Sequence, residues 1–399
     1  MHTQTAFALT CLVLGYAVMS GLVRKSYVAP ALIFVVAGLL LGPSGLGLID
    51  VENADAESFT VLAQLALTVI LFNQASRLNP RTVLGRGRLT VRLLAIGIPV
   101  SLVLGTAAAV LLVPVLPLWE AVCLAVVVAP IEVALIEAVT DDRRLPERIR
   151  IALAAESGFY DGFALAVLLA ALAAASDSHD PQPARWIWSA VRTEFVSLGL
   201  GLAIGAAGAI VVVWSRDREW MSETWSQLAT LALALSCFGA AEHVHASGFV
   251  AAFAGGLAYA LLSSRSGVRA VTTQVSDAVG ELLELLVFAM FGAFAVIDAW
   301  RDVGWRIVVF VIIAVFAVRI AAVLLSMIGA GLPMKSTLFM GWFGPRGIGT
   351  MVLGLVVVGK GDIGHRGLLA QTVVVAVTLS LILHSATARM SIRLAAKSK

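Results

Sequence analysis

Charge is what this sequence has least of. Asp, Glu, Lys and Arg make up 13% of its 399 residues, where a soluble domain carries about 25%. Apolar residues make up 60%, and the mean hydropathy is +0.95. So few charges cannot cover a water-exposed surface of this size, which excludes a soluble globular protein. The formal net charge is only +3, so no nucleic-acid partner is expected. Cysteine is scarce too. Cys11, Cys123 and Cys237 all lie in apolar runs and read as small core residues rather than a disulfide framework. No Cys/His cluster has metal-ligand spacing, so neither a metal nor a cofactor is expected. No nucleophile–base pair stands out, so the chain is not read as an enzyme. The first apolar run, residues 5–23, lacks a basic stretch before it and reads as a retained spanning helix rather than a cleaved signal.

Long apolar runs are what the chain has in abundance. Thirteen can be counted, each near the ~20 residues that a bilayer requires. They cover residues 5–23, 27–43, 58–76, 90–114, 118–140, 149–175, 187–214, 222–241, 246–263, 275–299, 305–330, 336–358 and 367–388. The expected fold is an all-α polytopic membrane protein with the lipid bilayer as its surroundings. It is a single transmembrane domain over residues 1–399, with no appended soluble domain.

The loops separate by charge. Arg24/Lys25, Arg77/Arg81/Arg86/Arg88, Arg143/Arg144/Arg148/Arg150, Arg216/Arg218, Arg265/Arg269 and Lys335 fall on one side. Asp50/Glu52/Asp55/Glu57, Asp177/Asp180 and Asp298/Arg301/Asp302 fall on the other, with Lys360 and Arg366 against the trend. The positive-inside rule then puts the N-terminus outside and the tail with Arg389, Arg393, Lys397 and Lys399 in the cytoplasm. The expected location is a bacterial inner membrane.

Two spans are interrupted. The fifth is broken at Pro130 and the twelfth at Gly344-Pro345-Arg346-Gly347-Ile348-Gly349. Broken backbone at membrane depth is tolerated only against protein or a watery cavity. The breaks are seven spans apart, and an odd offset means opposite directions across the membrane. Such a pair points to inverted repeats with a transport site between them. The second and ninth spans, with Gly38/Gly42 and Gly255/Gly256, form a weaker second correspondence.

One carboxylate, Glu132, sits at the first break, and Glu156 and Asp161 lie inside the next span. Each costs about +2.5 to 3.5 kcal/mol at membrane depth, so the default reading is a substrate or proton pathway. Asp161 is the leading candidate, with Ser157 four residues earlier on the same helix face. One carboxylate can hold a proton or a desolvated cation but not both cheaply, and that competition is the simplest antiport mechanism. The alternative for Asp161 is static pairing with Arg319 or Arg346. Glu156 and Tyr160 share another stripe, and Glu156 is expected to pair with Arg346 as a structural ion pair. Glu132, just after Pro130, can serve as a cation ligand, a second proton carrier or a counter-charge to a half-helix N-terminus. Pro130, Ile131 and Tyr160 are expected to line the site. Glu281 and Glu284 either line the inner mouth or snorkel, and snorkelling is the preferred reading. Glu242, His243 and His245 read as a wet loop more than a metal site. His384 reads as a hydrogen-bonded core histidine. Glu137 and Asp141/Asp142 could attract cations or be solvated.

These motifs resemble the monovalent cation:proton antiporter superfamily, in particular the sodium/proton exchangers of the NhaP and NHE-like branch. Phe339-Met340-Gly341-Trp342-Phe343-Gly344-Pro345-Arg346-Gly347 is similar to that branch's F-x-G-W-x-G-x-R-G. Glu156-Ser157-Gly158-Phe159-Tyr160-Asp161-Gly162 is similar to its E-S-x-x-N-D-G. The stretch from Gly248 to Gly256 resembles its glycine-rich G-F-x-A-x-F-x-x-G, and residues 71–77 and 288–292 add further matches. The resemblance runs nearly the whole chain in order. It implies thirteen helices with two crossing broken ones, a homodimer, and exchange of protons for sodium or potassium by alternating access. The neutral Tyr160 before the aspartate implies an electroneutral exchanger. Three positions depart from the family: Ile131-Glu132 replaces Thr-Asp, Tyr160 replaces Asn, and Gln74 stands where an acid is frequent. Isoleucine removes a hydroxyl, glutamate moves the charge by a methylene, and tyrosine keeps a hydroxyl on a larger ring. The altered pocket leaves open a larger or organic cation, or a non-transporting sensor or scaffold.

Overall fold

The computed structural model describes residues 3–26, 28–49, 55–77, 88–132, 145–176, 183–263, 273–360 and 363–396. Their regular structure is helical throughout. In order, the helices are α1 (Thr3–Ser26), α2 (Pro30–Leu41), α3 (Asp55–Arg77), α4 (residues 88–112), α5 (Leu118–Val128), α6 (Glu147–Ser176) and α7 (Pro183–Asp217). Then come α8 (Glu223–His243), α9 (Gly248–Ser263), α10 (Gln274–Phe294), α11 (Val296–Arg301), α12 (residues 305–327), α13 (Met334–Trp342), α14 (Ile348–Lys360) and α15 (Arg366–Ala396).

Among the described residues, seven helices are long and apolar enough to cross a membrane. The other expected spans fall short for local reasons. α2 has only 12 residues and α9 only 16. The fifth and twelfth spans are interrupted where expected. α5 stops at Val128, two residues before Pro130 removes a backbone donor. α13 stops at Trp342 and α14 resumes at Ile348, with Phe343-Gly344-Pro345-Arg346-Gly347 between them. The fifth span's continuation, with Glu137 and Asp141/Asp142, lies outside the described residues. Apolar side chains also cover the outside. Val18, Leu111 and Phe195 are 80%, 79% and 71% exposed, a surface suited to lipid rather than water.

Among the described residues, two helices carry a wider π turn, α4 at Leu93–Gly97 and α12 at Ile313–Val318. No proline or glycine marks the second of these in advance. Each adds a residue to one turn and so rotates the remainder of its helix. In α12 the next residue is Arg319.

Apart from α1 and α11, the described helices gather into two bundles. One contains α2, α3, α7, α8, α9 and α10; the other contains α4, α5, α6 and α12 to α15. Close backbone approach builds the first, as small residues permit in a membrane. A Cβ on Gly38 of α2 would sit 1.9 Å from the Ala289 carbonyl oxygen of α10. One on Gly256 of α9 would sit 2.3 Å from the Phe72 carbonyl oxygen of α3. The second bundle holds both breaks.

Candidate functional site

The two breaks touch. Beyond α5 the chain runs through Ala129 and Pro130 to Glu132, whose backbone N–H donates to the Pro345 carbonyl at 2.7 Å. Each break then supplies the charge that the other needs. Glu132 is buried, and its Oε2 accepts from the backbone N–H of Ile348, the first residue of α14, at 2.9 Å. A carboxylate there offsets the positive end of a half-helix. Arg346 is buried, and its Nε donates at 2.6 Å to the carbonyl of Val128, the last residue of α5. Its guanidinium also donates to the Gly344 carbonyl. A cation there offsets the negative end of the other half-helix. Gly347 lets Glu132 in: a Cβ on it would meet Glu132 Cγ at 2.6 Å.

Helix α6 closes on this pair of breaks. Ser157 is fully buried, and its hydroxyl donates to the Ile131 carbonyl at 2.8 Å. A serine oxygen and a main-chain oxygen are thereby brought together at the first break. Pro130 and Ile131 are buried beside them. Asp161 belongs to α6, one turn beyond Ser157, and its side chain lies outside the described residues. Tyr160 is 1% exposed and lies within electrostatic reach of Arg346.

The expected pairing of Glu156 with Arg346 is corrected. Glu156 takes Arg319 instead, in a two-pronged ion pair with distances of 2.8 and 3.0 Å. The two side chains are 3% and 4% exposed, so each needs the other. Arg319 directly follows the π turn of α12, and it also donates to the Met340 carbonyl at 3.3 Å. Arg346 remains within electrostatic reach of Glu156 and Arg319, but the helix-end carbonyls hold it. A cavity of about 10 Å³, room for one water, lies among Val128, Ala129, Arg319 and Arg346.

Two supports were not anticipated. The Arg346 backbone N–H donates to Ser380 Oγ at 2.8 Å. His384, one turn on, lies 2.8 Å from the Ser380 carbonyl and 3.0 Å from the Trp342 carbonyl. It is the hydrogen-bonded core histidine that its apolar run implied, and it ties α15 to the second break. At the N-terminal end of α5, the buried Glu120 binds His365 at 2.8 Å and Gly364 at 3.2 Å. An acid near a helix start and a lone histidine in a distant loop gave no sign of this contact. Of the remaining acids, Glu281 is exposed as expected while Glu284 is buried. Glu242 accepts from Gly248 N–H at the start of α9 at 3.1 Å.

Comparison with known proteins assigns the chain to a family. The chain is 26% identical over 360 residues to the K(+)/H(+) antiporter NhaP of Alkalimonas amylolytica, covering 88% of this chain and 60% of that one. It is also 26% identical over 300 residues to the sodium, potassium, lithium and rubidium/H(+) antiporter of Bacillus subtilis, covering 72% of this chain and 43% of that one. The chain thus spans about three-fifths or less of these relatives. In fold, it resembles the sodium proton antiporter MjNhaP1 of Methanocaldococcus jannaschii at pH 8, with a TM-score of 0.76, 19% identity and 98% of each chain covered. The family model for the transmembrane sodium/hydrogen exchangers matches residues 9–393. The chain is therefore a member of the transmembrane sodium/hydrogen exchanger family, an integral membrane family of transporters rather than enzymes.

Proposed function

We propose that this protein exchanges protons for a monovalent cation, sodium or potassium, by alternating access. Asp161 is the shared proton and cation site. Ser157 Oγ and the Ile131 carbonyl are its oxygen partners, and the observation that carries this reading is their 2.8 Å contact at the first break. Ile131 lacks a hydroxyl, yet its main-chain oxygen still faces the serine. Glu132 serves the site as the fixed counter-charge of α14 and sets the negative field around it. The Glu156–Arg319 pair and Arg346 hold the frame. Tyr160 keeps its phenol near Arg346, which favours an inorganic cation over an organic one. One carboxylate carrying both substrates makes the exchange one for one and electroneutral. The names of the related antiporters support cation/proton exchange as the chemistry.

The whole-chain architecture in this reading is thirteen helices in inverted repeats, with the two broken spans crossing at the site, in a homodimer of the bacterial inner membrane with its N-terminus outside. Three regularities support the repeat at an offset of seven spans. The fifth and twelfth spans are both broken, and the fourth and eleventh both carry a π turn. The close α2–α10 contact has its counterpart in α9–α3.

The test is proton release from proteoliposomes on addition of sodium, potassium or lithium. The wild type responds to at least one cation, and Asp161→Asn is silent while still eluting as a folded dimer. Near-normal proton-coupled flux in Asp161→Asn rules out the shared site. Silence of the wild type with every cation rules out exchange.

A further inference from the structure

A cavity of about 450 Å³ lies between α13 and α15, on the far side of Trp342 from the second break. Its lining includes Lys335, Leu338, Phe339, Trp342, Thr387 and Met390. The volume falls in the roughly 300–1,000 Å³ range of pockets that hold small molecules. Its floor is open at the side. Leu338 and Met390 are 43% and 60% exposed, and in a membrane-embedded chain such apolar residues meet acyl chains. Among the described residues, the single charge in the lining is Lys335, which is exposed and has no ion-pair partner.

Lys335 also stands at the wrong end of its helix. It lies in the first turn of α13, where the helix end is itself positive. Pro333 precedes that turn and offers no side-chain cap. An anion at this point meets the ammonium group and the uncapped amide end together. A fatty chain and an anionic head therefore suit the two ends of one cavity.

We infer that this cavity binds one anionic phospholipid. Its phosphate sits at Lys335 and the start of α13, and one acyl chain lies along Leu338, Phe339 and Met390. The bound chain reaches a sensitive place. Trp342 is the last residue of α13 before the second break. Its Nε1 donates to Thr387 Oγ1 of α15 at 3.2 Å, and its ring stacks on Phe316 at 4.8 Å. A lipid against Trp342 and Thr387 clamps α13 to α15 directly beside the break.

Native mass spectrometry of the detergent-purified chain tests this, with phosphatidylglycerol or phosphatidylcholine of identical acyl chains as the probe and melting temperature recorded alongside. The wild type retains one phosphatidylglycerol in preference to phosphatidylcholine, and that lipid raises its melting temperature. Lys335→Gln weakens the phosphatidylglycerol preference about fivefold, the effect of one lysine on an anionic lipid. Leu338→Trp fills the floor and removes the bound molecule of either lipid. Met390→Trp replaces it if Leu338→Trp does not fold. Equal retention of the two lipids by the wild type overturns the inference. So does an unchanged preference in Lys335→Gln and the floor-filling variant. Inorganic phosphate that raises the melting temperature as much as the lipid also overturns it, since the site would then bind an anion without a chain.

Discussion

At the scale of single residues, the decisive contacts are charge on helix end and charge on charge. Glu156 and Arg319 are both buried and satisfy one another through two hydrogen bonds. Removing one partner leaves the other as an uncompensated buried charge, which costs about 3–5 kcal/mol. Arg319→Ala and Glu156→Ala should each lower the melting temperature in detergent sharply, while the double substitution costs much less than the sum. Glu156→Ala combined with Arg346→Ala should show the weaker coupling, because Arg346 is held by the Val128 and Gly344 carbonyls. The reverse order of coupling would restore the Glu156–Arg346 pair. A second residue-level test concerns the departures from the family. Ile131→Thr with Tyr160→Asn returns a hydroxyl and an amide beside Ser157 and Asp161. Hard cations prefer such oxygen ligands to an alkyl group. The double variant should keep transport and lower the apparent KM for sodium or potassium. Weakened transport would favour a substrate that uses the phenol ring.

At the scale of elements, the site is a joint between two interrupted helices, and glycines set its clearance. A methyl group on Gly347 would press on Glu132 and displace it from the α14 N-terminus, and one on Gly344 would come within 2.2 Å of Arg319 Nε. Overpacking of this kind typically costs about 1–3 kcal/mol. Gly347→Ala and Gly344→Ala should therefore each lower the melting temperature and reduce exchange, whereas alanine at Gly359, which has open space around its Cβ position, should do neither. Full activity in Gly347→Ala would show that Glu132 need not hold α14. The positions of both breaks were legible in the sequence, because proline and clustered glycine leave an interruption that no apolar pattern hides. Ser157 of α6 meets the first break at the Ile131 carbonyl, whereas the expected tie to the second break through Glu156 and Arg346 does not form. The partner of Glu156 was not legible. Arg319 follows directly on a π turn, and Ile313–Val318 reads as any other apolar run. The Glu120–His365 contact was hidden for a different reason: it joins residues 245 apart in the chain through a fold that sequence spacing does not encode.

At the scale of the whole molecule, the two breaks meet so that each neutralises the other's half-helix, and α6 brings the Ser157 hydroxyl to the same point. Fold similarity over 98% of the chain and the family match over residues 9–393 set this arrangement in a family of exchangers. The central claim is that Asp161 holds the proton and the cation in turn. Competition at one carboxylate has a kinetic signature that separate sites lack. The apparent KM for the cation, measured in proteoliposomes across a series of pH values at clamped membrane potential, tests it most directly. A shared site predicts that, on the acid side, KM rises about tenfold for each unit of falling pH while the maximal rate holds, because one proton must leave for each cation bound. A KM that stays flat while pH changes only the maximal rate would contradict it, and would place proton and cation on different groups.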